Sequence, residues 1–238
     1  AEEAAAADPG ETEGPAPAAS GDTLATVLER GHVICGGNAS VPGFGFLVTE
    51  GNYAGFDIDF CKAVAAAVFG DAEAYEIRPL SSQERFTALQ SGEIDVLIRN
   101  TTWTLSRDTD LGSNFVATTF YDGQGFIVRV ADGIETLEDL DGGTVCVQTG
   151  TTTEANLADV MAARGISYEP VVYEDVETGW TTYEEGRCDA YTTDKSGLVS
   201  RRTLLSVPAD HVIMDETIAK EPLGPVVRRG DAQCFDMV

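Results

Sequence analysis

The chain has 238 residues, 43% of them apolar, which suffices for one large domain or two small ones. Its formal net charge is −25, with 40 acidic against 15 basic residues, a surface that repels nucleic acid and anionic lipid headgroups. No run of about 18 or more apolar residues occurs, so no stretch reads as a membrane-spanning helix. Lys62, Lys195 and Lys220 are the only lysines. An acid-rich, lysine-poor surface suits a saline habitat, where salt screens self-repulsion; a GC-rich genome favouring Arg codons explains it equally.

Residues 1–21, AEEAAAADPGETEGPAPAASG, lack aromatic and β-branched aliphatic side chains. Such a segment cannot repay its ordering entropy and reads as a disordered tether. It has no basic and apolar regions of its own to be a signal peptide, though a removed export signal or a lipid-modified residue upstream would leave such a segment.

After it, strands and helices alternate. His32–Gly36 is a short strand, and Phe56–Phe69 a helix with Ile58, Cys61, Val64, Ala65 and Val68 on one stripe, ending at Gly70. A strand over 75–78 is closed by Pro79. A helix over 83–91 turns Phe86 and Leu89 inward, with Gly92 as its cap, and a strand over 94–98 follows. This βαβαβ rhythm implies a parallel sheet with crossover helices. A strand over 125–130 opens a second, similar unit: strands over 144–148, 168–173 and 188–193, and helices over 153–164, 177–186 and 195–204. A last apolar stretch, 223–227, precedes Val238 without a closing helix.

Three strand edges carry polar chemistry. Arg99–Asp108 reads RNTTWTLSRD, with Asn100, Thr101, Thr102 and Thr104 ahead of Arg107. Short hydroxyls past a buried strand and a guanidinium fork suit a carboxylate. A loop bonding its own backbone fits as well. Residues 148–154, QTGTTTE, place Thr152 at a helix N-terminus that can receive an anion, although Thr151 with Glu154 also makes an ordinary capping box. Residues 186–194, GRCDAYTTD, end in Asp194, either an N-cap or an acceptor for an ammonium. Together the edges suit a zwitterion. QTGTTTE lacks the lysine and glycine spacing of a phosphate loop.

Five cysteines occur, at 35, 61, 146, 188 and 234, without the Cys-x-x-Cys spacing of a zinc site. Two disulfides, with Cys234 left over, and buried free thiols are both open on spacing alone.

The motifs GFDIDFCKAVAAAVFGD (55–71), RFTALQSGEIDVLIRNTTWTLSRD (85–108), VCVQTGTTTEANLADV (145–160), GRCDAYTTDKSGL (186–198) and KEPLGPVVRRGD (220–231) resemble the amino-acid-binding proteins of ABC importers. The likeness is to the polar amino acid group, nearest its general L-amino acid binding subgroup, and covers about residues 24–237. It implies an α/β, two-lobed type II periplasmic binding fold, with lobe one formed by 22–125 plus 223–238 and lobe two by 126–222. Two crossing strands are expected near 125–128 and 223–227. Subgroup members continue beyond this chain's FDMV, so lobe one is expected to be C-terminally incomplete.

The resemblance also implies roles. Arg107 holds the α-carboxylate, Thr102 and the backbone near Asn100 hold the α-amino and carboxylate groups, and Thr152 gives a donor from lobe two. Asp194 accepts the α-ammonium, and Asn38 stands where the family often has an acid that reads the ligand's side chain. Cys35–Cys61 and Cys146–Cys188 pair within the lobes, which implies an oxidising, extracytoplasmic compartment. Val41 and Ser82 stand where relatives often place aromatics, implying a roomy pocket and broad specificity. Trp103 and Phe44 are expected as apolar walls, with core packing the stronger reading for Phe44, and Arg99 either meets an acidic ligand side chain or balances a nearby acid. The implied protein is a periplasmic, monomeric solute-binding protein that closes on L-amino acids and delivers them to a membrane permease, with no cofactor or metal and no catalysis. A same-fold enzyme (dehydratase or lyase) and a ligand-sensing receptor domain are the competing readings.

Overall fold

The computed structural model describes residues 23–231 and 238. The expected tether and Cys234 lie outside the described residues. In chain order come α1 (Thr23–Arg30), β1 (Val33–Gly37), β2 (Ser40–Val41), β3 (Gly45–Thr49), β4 (Asn52–Ala54), α2 (Phe56–Phe69), β5 (Tyr75–Pro79), α3 (Arg85–Ser91), β6 (Val96–Leu97), α4 (Leu105–Asp110) and β7 (Ser113–Phe115). The chain continues through β8 (Phe120–Arg129), β9 (Gly143–Gln148), α5 (Thr152–Arg164), β10 (Tyr168–Tyr173), α6 (Val176–Glu184), β11 (Ala190–Asp194), α7 (Lys195–Arg202), β12 (His211–Ile213), β13 (Ala219–Leu223) and β14 (Val226–Arg228).

These elements form two mixed sheets and a small antiparallel sheet of order β2-β3-β4. The first has strand order β5-β1-β6-β14-β7, with β1 parallel to β5 and β6 and β14 antiparallel to its neighbours. The second has order β10-β9-β11-β8-β12, with β13 also paired to β8. Strands covered on both faces read as continuous apolar runs, because successive side chains enter opposite layers. Val96 and Ile98 join Val27, Cys61 and Val64 on one face, while Leu97 joins Ala88, Leu89 and Phe115 on the other. In the second sheet Phe126 and Val128 meet Leu157 and Met161 of α5, while Ile127 meets Trp180, Tyr183 and Leu198 of α6 and α7. Each large aliphatic buried in this way contributes about 1.5–3 kcal/mol.

α2 ends as its sequence predicts: Gly70 takes a left-handed φ of 70° and its N–H donates to the Ala66 carbonyl. The two cysteine pairs form disulfides, Cys35 (β1) to Cys61 (α2) and Cys146 (β9) to Cys188, with Cα–Cα distances of 6.3 and 5.6 Å. Each bridge stays within one sheet and its own helices or strands.

Phe120–Gln124 of β8 pairs antiparallel with Ala219–Leu223 of β13, and beyond this ribbon the chain enters β14 of the first sheet. The paired ribbon thus lies a few residues earlier than the crossings expected near 125–128 and 223–227. β8 begins at Phe120 because the polar stretch Tyr121-Asp122-Gly123-Gln124 still finds ladder partners on β13, which hydropathy does not report. The Thr102–Leu223 bridge and the Trp103 N–H donated to the Pro222 carbonyl (2.7 Å) tie the ribbon to the end of β6.

Candidate ligand-binding cleft

The first wall of the cleft is the run that follows β6. Arg99, buried, donates from Nε to the Leu80 carbonyl (2.7 Å) and from Nη1 to the Ser82 hydroxyl (3.2 Å). Burial lowers its pKa to about 10, against the opposing pull of Asp57. Asn100 has φ +34°, and its N–H donates to the Asp57 carboxylate at 2.6 Å. Asn100 therefore presents its side chain, not its N–H, to the cleft. Burial raises the Asp57 carboxyl to about 6, partly offset by the Asn100 N–H and by Arg99.

Thr104 caps α4 by accepting the Arg107 N–H (3.2 Å), which sets Arg107 in the helix's first turn. From there its Nη1 folds back to donate to the Thr102 carbonyl at 2.9 Å. Burial lowers the Arg107 pKa, while Glu221 and Asp194 act to raise it. Its guanidinium lies 5.4 Å from the Phe86 ring centroid, as does that of Arg85.

The second wall begins at Gly150, where φ +71° turns the chain from β9 into α5. Thr151 accepts the Glu154 N–H (3.1 Å), and Glu154 in turn accepts the Gly150 N–H (2.9 Å). Capping is thus done by Thr151 and Glu154. The next residue, Thr152, donates its hydroxyl to Glu221 (2.9 Å) and lies 3.3 Å from the Thr102 hydroxyl of the opposite wall.

Asp194 occupies the N-cap position of α7 but makes no side-chain cap bond. It is 7% exposed and is hydrogen-bonded by the Asn100 side chain. Burial drives its carboxyl well above the ordinary range, with Glu221 and Asp122 acting in the same direction. A buried carboxylate that declines a capping bond and faces guanidiniums keeps acceptor capacity for an ammonium.

Among the seven residues expected to touch ligand, Arg107, Thr102, Asn100, Thr152, Asp194 and Asn38 line one partly open cavity of about 50 Å³, together with Val41, Phe44 and Ser82. Asn38 donates to the Asn100 side-chain oxygen at 3.3 Å. Trp103 does not line the cavity: its indole stacks on Phe115, with centroids 5.5 Å apart and planes 7° apart.

Sequence reasoning missed three contributors. Arg85, which the reading of the helix over 83–91 did not single out, is 3% exposed, lines the cavity, and donates from Nη2 across the cleft to the Gly150 carbonyl (3.4 Å). Its Nε has no partner, and burial drives its pKa well down, reinforced by Arg107 and Arg99. Glu221, 1% exposed on β13, accepts from Thr152 and from Asn156 Nδ2 (2.8 Å). Gln124, fully buried on β8, donates to the Thr153 carbonyl (2.9 Å) and the Thr192 hydroxyl (3.0 Å). The signal for Glu221 was present in KEPLGP, an acid beside an apolar, proline-bounded stretch.

Two sheets joined by a strand ribbon, with a charged cleft between them, define a two-lobed solute-binding fold. The chain belongs to the bacterial extracellular solute-binding proteins, family 3, whose sequence profile matches residues 33–238. It is 55% identical, over 94% of its length, to the general L-amino acid-binding periplasmic protein AapJ of Rhizobium johnstonii, and 53% identical over 93% to the glutamate/glutamine/aspartate/asparagine-binding protein BztA of Rhodobacter capsulatus. It spans 65% of the length of each. Among solved structures, a periplasmic binding protein of an ABC transporter from Brucella ovis, with glutathione bound, superposes with TM-score 0.87 at 51% identity, covering 91% of this chain and 68% of that one.

Proposed function

We propose that this protein captures L-amino acids in its cleft by hinge closure and delivers them to the membrane permease of an ABC importer, outside the cytoplasm and with broad specificity. In this reading lobe one comprises 22–125 with 223–238, lobe two 126–222, and the protein acts as a monomer. Arg107 holds the α-carboxylate, Thr102 and Thr152 add donors from the two walls, and Asp194 accepts the α-ammonium. Asn100 and Asn38 line the site beside them.

The observation that carries the reading is Asp194, a buried carboxylate at an N-cap position that does not cap its helix and stands in the same cavity as Arg107. Opposite charges fixed on facing walls match a zwitterion and exchange its hydration for charge-assisted hydrogen bonds. The contacts Thr102–Thr152 and Arg85–Gly150 cross the cleft, as a clamped state requires. Small residues at Val41 and Ser82 support loose side-chain selection. Relatives named as amino-acid-binding proteins, a solved neighbour named as an ABC transporter periplasmic binding protein, and two disulfides support an extracytoplasmic transport role over the same-fold enzyme and the receptor domain.

A thermal-shift panel of the twenty L-amino acids, with their D-enantiomers as controls, tests this. Stabilisation by many L-amino acids and by few D-forms is the expected result. A single strong hit overturns broad specificity, and no hit overturns amino-acid capture.

A further inference from the structure

We propose that Arg201, at the lobe-two end of the cleft, seats a second carboxylate of the ligand. This rests on the zwitterion reading above and extends it to a ligand class: molecules carrying an anionic group beyond the amino acid head.

The geometry runs along α7. Asp194 is the N-cap of this helix and Arg201 lies seven residues on, about two turns and about 10 Å along the axis, on the same side. Both line the one cavity, and so does Gly197 between them. A methyl group built on Gly197 would meet only the Thr193 Cγ2, at 3.6 Å, an ordinary contact. Neither crowding nor a left-handed backbone requires glycine here, and alanine would favour the helix by about 1 kcal/mol. What glycine provides at 197 is an open lane from Asp194 to Arg201.

Arg201 is built to receive an anion at the end of that lane. It is 9% exposed. Its two terminal nitrogens donate to the Glu177 carboxylate at 2.6 and 2.7 Å, which fixes the plane of the fork. The guanidinium lies 5.5 Å from the Trp180 ring centroid, and Trp180 is itself stacked on Tyr191 at 4.1 Å. Nε, held in this rigid frame and buried, has no hydrogen-bond partner. Glu177 is half-exposed, so water screens its hold on the guanidinium. An N–H left unpaired in a buried, cationic and aromatic recess is satisfied by a carboxylate oxygen. That carboxylate comes either from the side chain of a dicarboxylic amino acid or from the terminus of a short γ-linked peptide.

Calorimetric titration of wild type, Arg201→Met and Gly197→Leu with glutamine, glutamate and glutathione decides between these. Arg201→Met keeps the stem over Trp180 and removes the donors. It is expected to lower the affinity of glutamate or of glutathione relative to glutamine by at least tenfold, and Gly197→Leu to act likewise by filling the lane. A fall confined to glutamate identifies the side-chain carboxylate; a fall confined to glutathione identifies the peptide terminus. An unchanged ratio in Arg201→Met overturns the proposal, as does a wild type that binds glutamine and neither dicarboxylic ligand. A wild type that binds none of the three overturns amino-acid capture, and this inference with it.

Discussion

The two walls of the cleft solve the burial of charge in opposite ways. On the lobe-one side, Arg99 and Arg107 are held by carbonyls and a hydroxyl of their own lobe. Their charge is fixed before any ligand arrives. On the lobe-two side, Asp194 has no cap bond within its own lobe, and the partner it finds is Asn100 of the opposite wall. The cationic wall is finished by folding, whereas the anionic wall is finished only by closure. On the proposed function, a zwitterion would meet a rigid carboxylate receptor first and an ammonium receptor second, and the second contact would favour the closed state. That order is what differential affinity for open and closed forms requires.

Breaking the finished wall should have the largest effect. Arg107→Ala leaves a ligand carboxylate facing a buried site without its cation, a truncation of about 3–5 kcal/mol. Calorimetry should show at least a hundredfold weaker binding of L-amino acids, and unaltered affinity would refute the role. The two lobes can next be compared through their staples. Each disulfide closes a loop, with separations of 26 and 42 residues, and chain entropy assigns about 3–4 kcal/mol to each. Cys35→Ala with Cys61→Ala, and Cys146→Ala with Cys188→Ala, should each lower the denaturation midpoint, the second pair slightly more. Equal stability with and without reductant would show that the bridges do not form.

The unfinished wall should be gentler. Asp194→Asn preserves shape and removes one charge-assisted bond, so binding should weaken about ten- to a hundredfold. The same change relieves a buried charge, so the ligand-free protein should melt no lower than wild type. A marked loss of ligand-free stability would reassign Asp194 to structure. The smallest effect is a pH slope from Asp57. Its folded-state value of about 6 lies above the ordinary 3.8, so the folded chain binds this proton more tightly than the unfolded chain does. Stability from this group falls as pH rises from 3.8 to about 6 and is flat above. The difference in melting temperature between wild type and Asp57→Asn should follow that window, and a difference constant across it would show that Asp57 does not titrate there.

Much of the fold was legible because its long elements bury one stripe or two full faces. The α2 stripe of Ile58, Cys61, Val64 and Ala65 is buried as its spacing implies. The short strands β2, β4 and β7 were not legible, since two or three residues carry no period; β2 and β4 pair with the adjacent β3, and β7 owes its pairing to β14, distant in sequence. The cleft divides the same way. Thr152, Asp194 and Arg107 sit at ends of elements, where punctuation marks them. Arg85 opens α3, and its bond to the Gly150 carbonyl crosses to the facing wall, a contact that no local pattern reports. Trp103 looked like a cleft wall because it lies among the right residues, yet neighbours in an irregular segment point in different directions, and its ring goes to Phe115.

The ribbon carrying Glu221 has a kinetic consequence. Glu221 and Gln124 both belong to the paired strands, and through Thr152, Asn156, Thr153 and Thr192 they hold the start of α5 against that ribbon. These bonds lie within the second sheet, its helices and the ribbon, so the proposed hinge opening would part Thr102 from Thr152 without releasing Thr152 from Glu221. The rotamer entropy of this hydroxyl is lost when the chain folds rather than when a ligand docks. In the proposed capture, an arriving solute meets a Thr152 side chain already fixed on Glu221, so no search among its rotamers precedes binding.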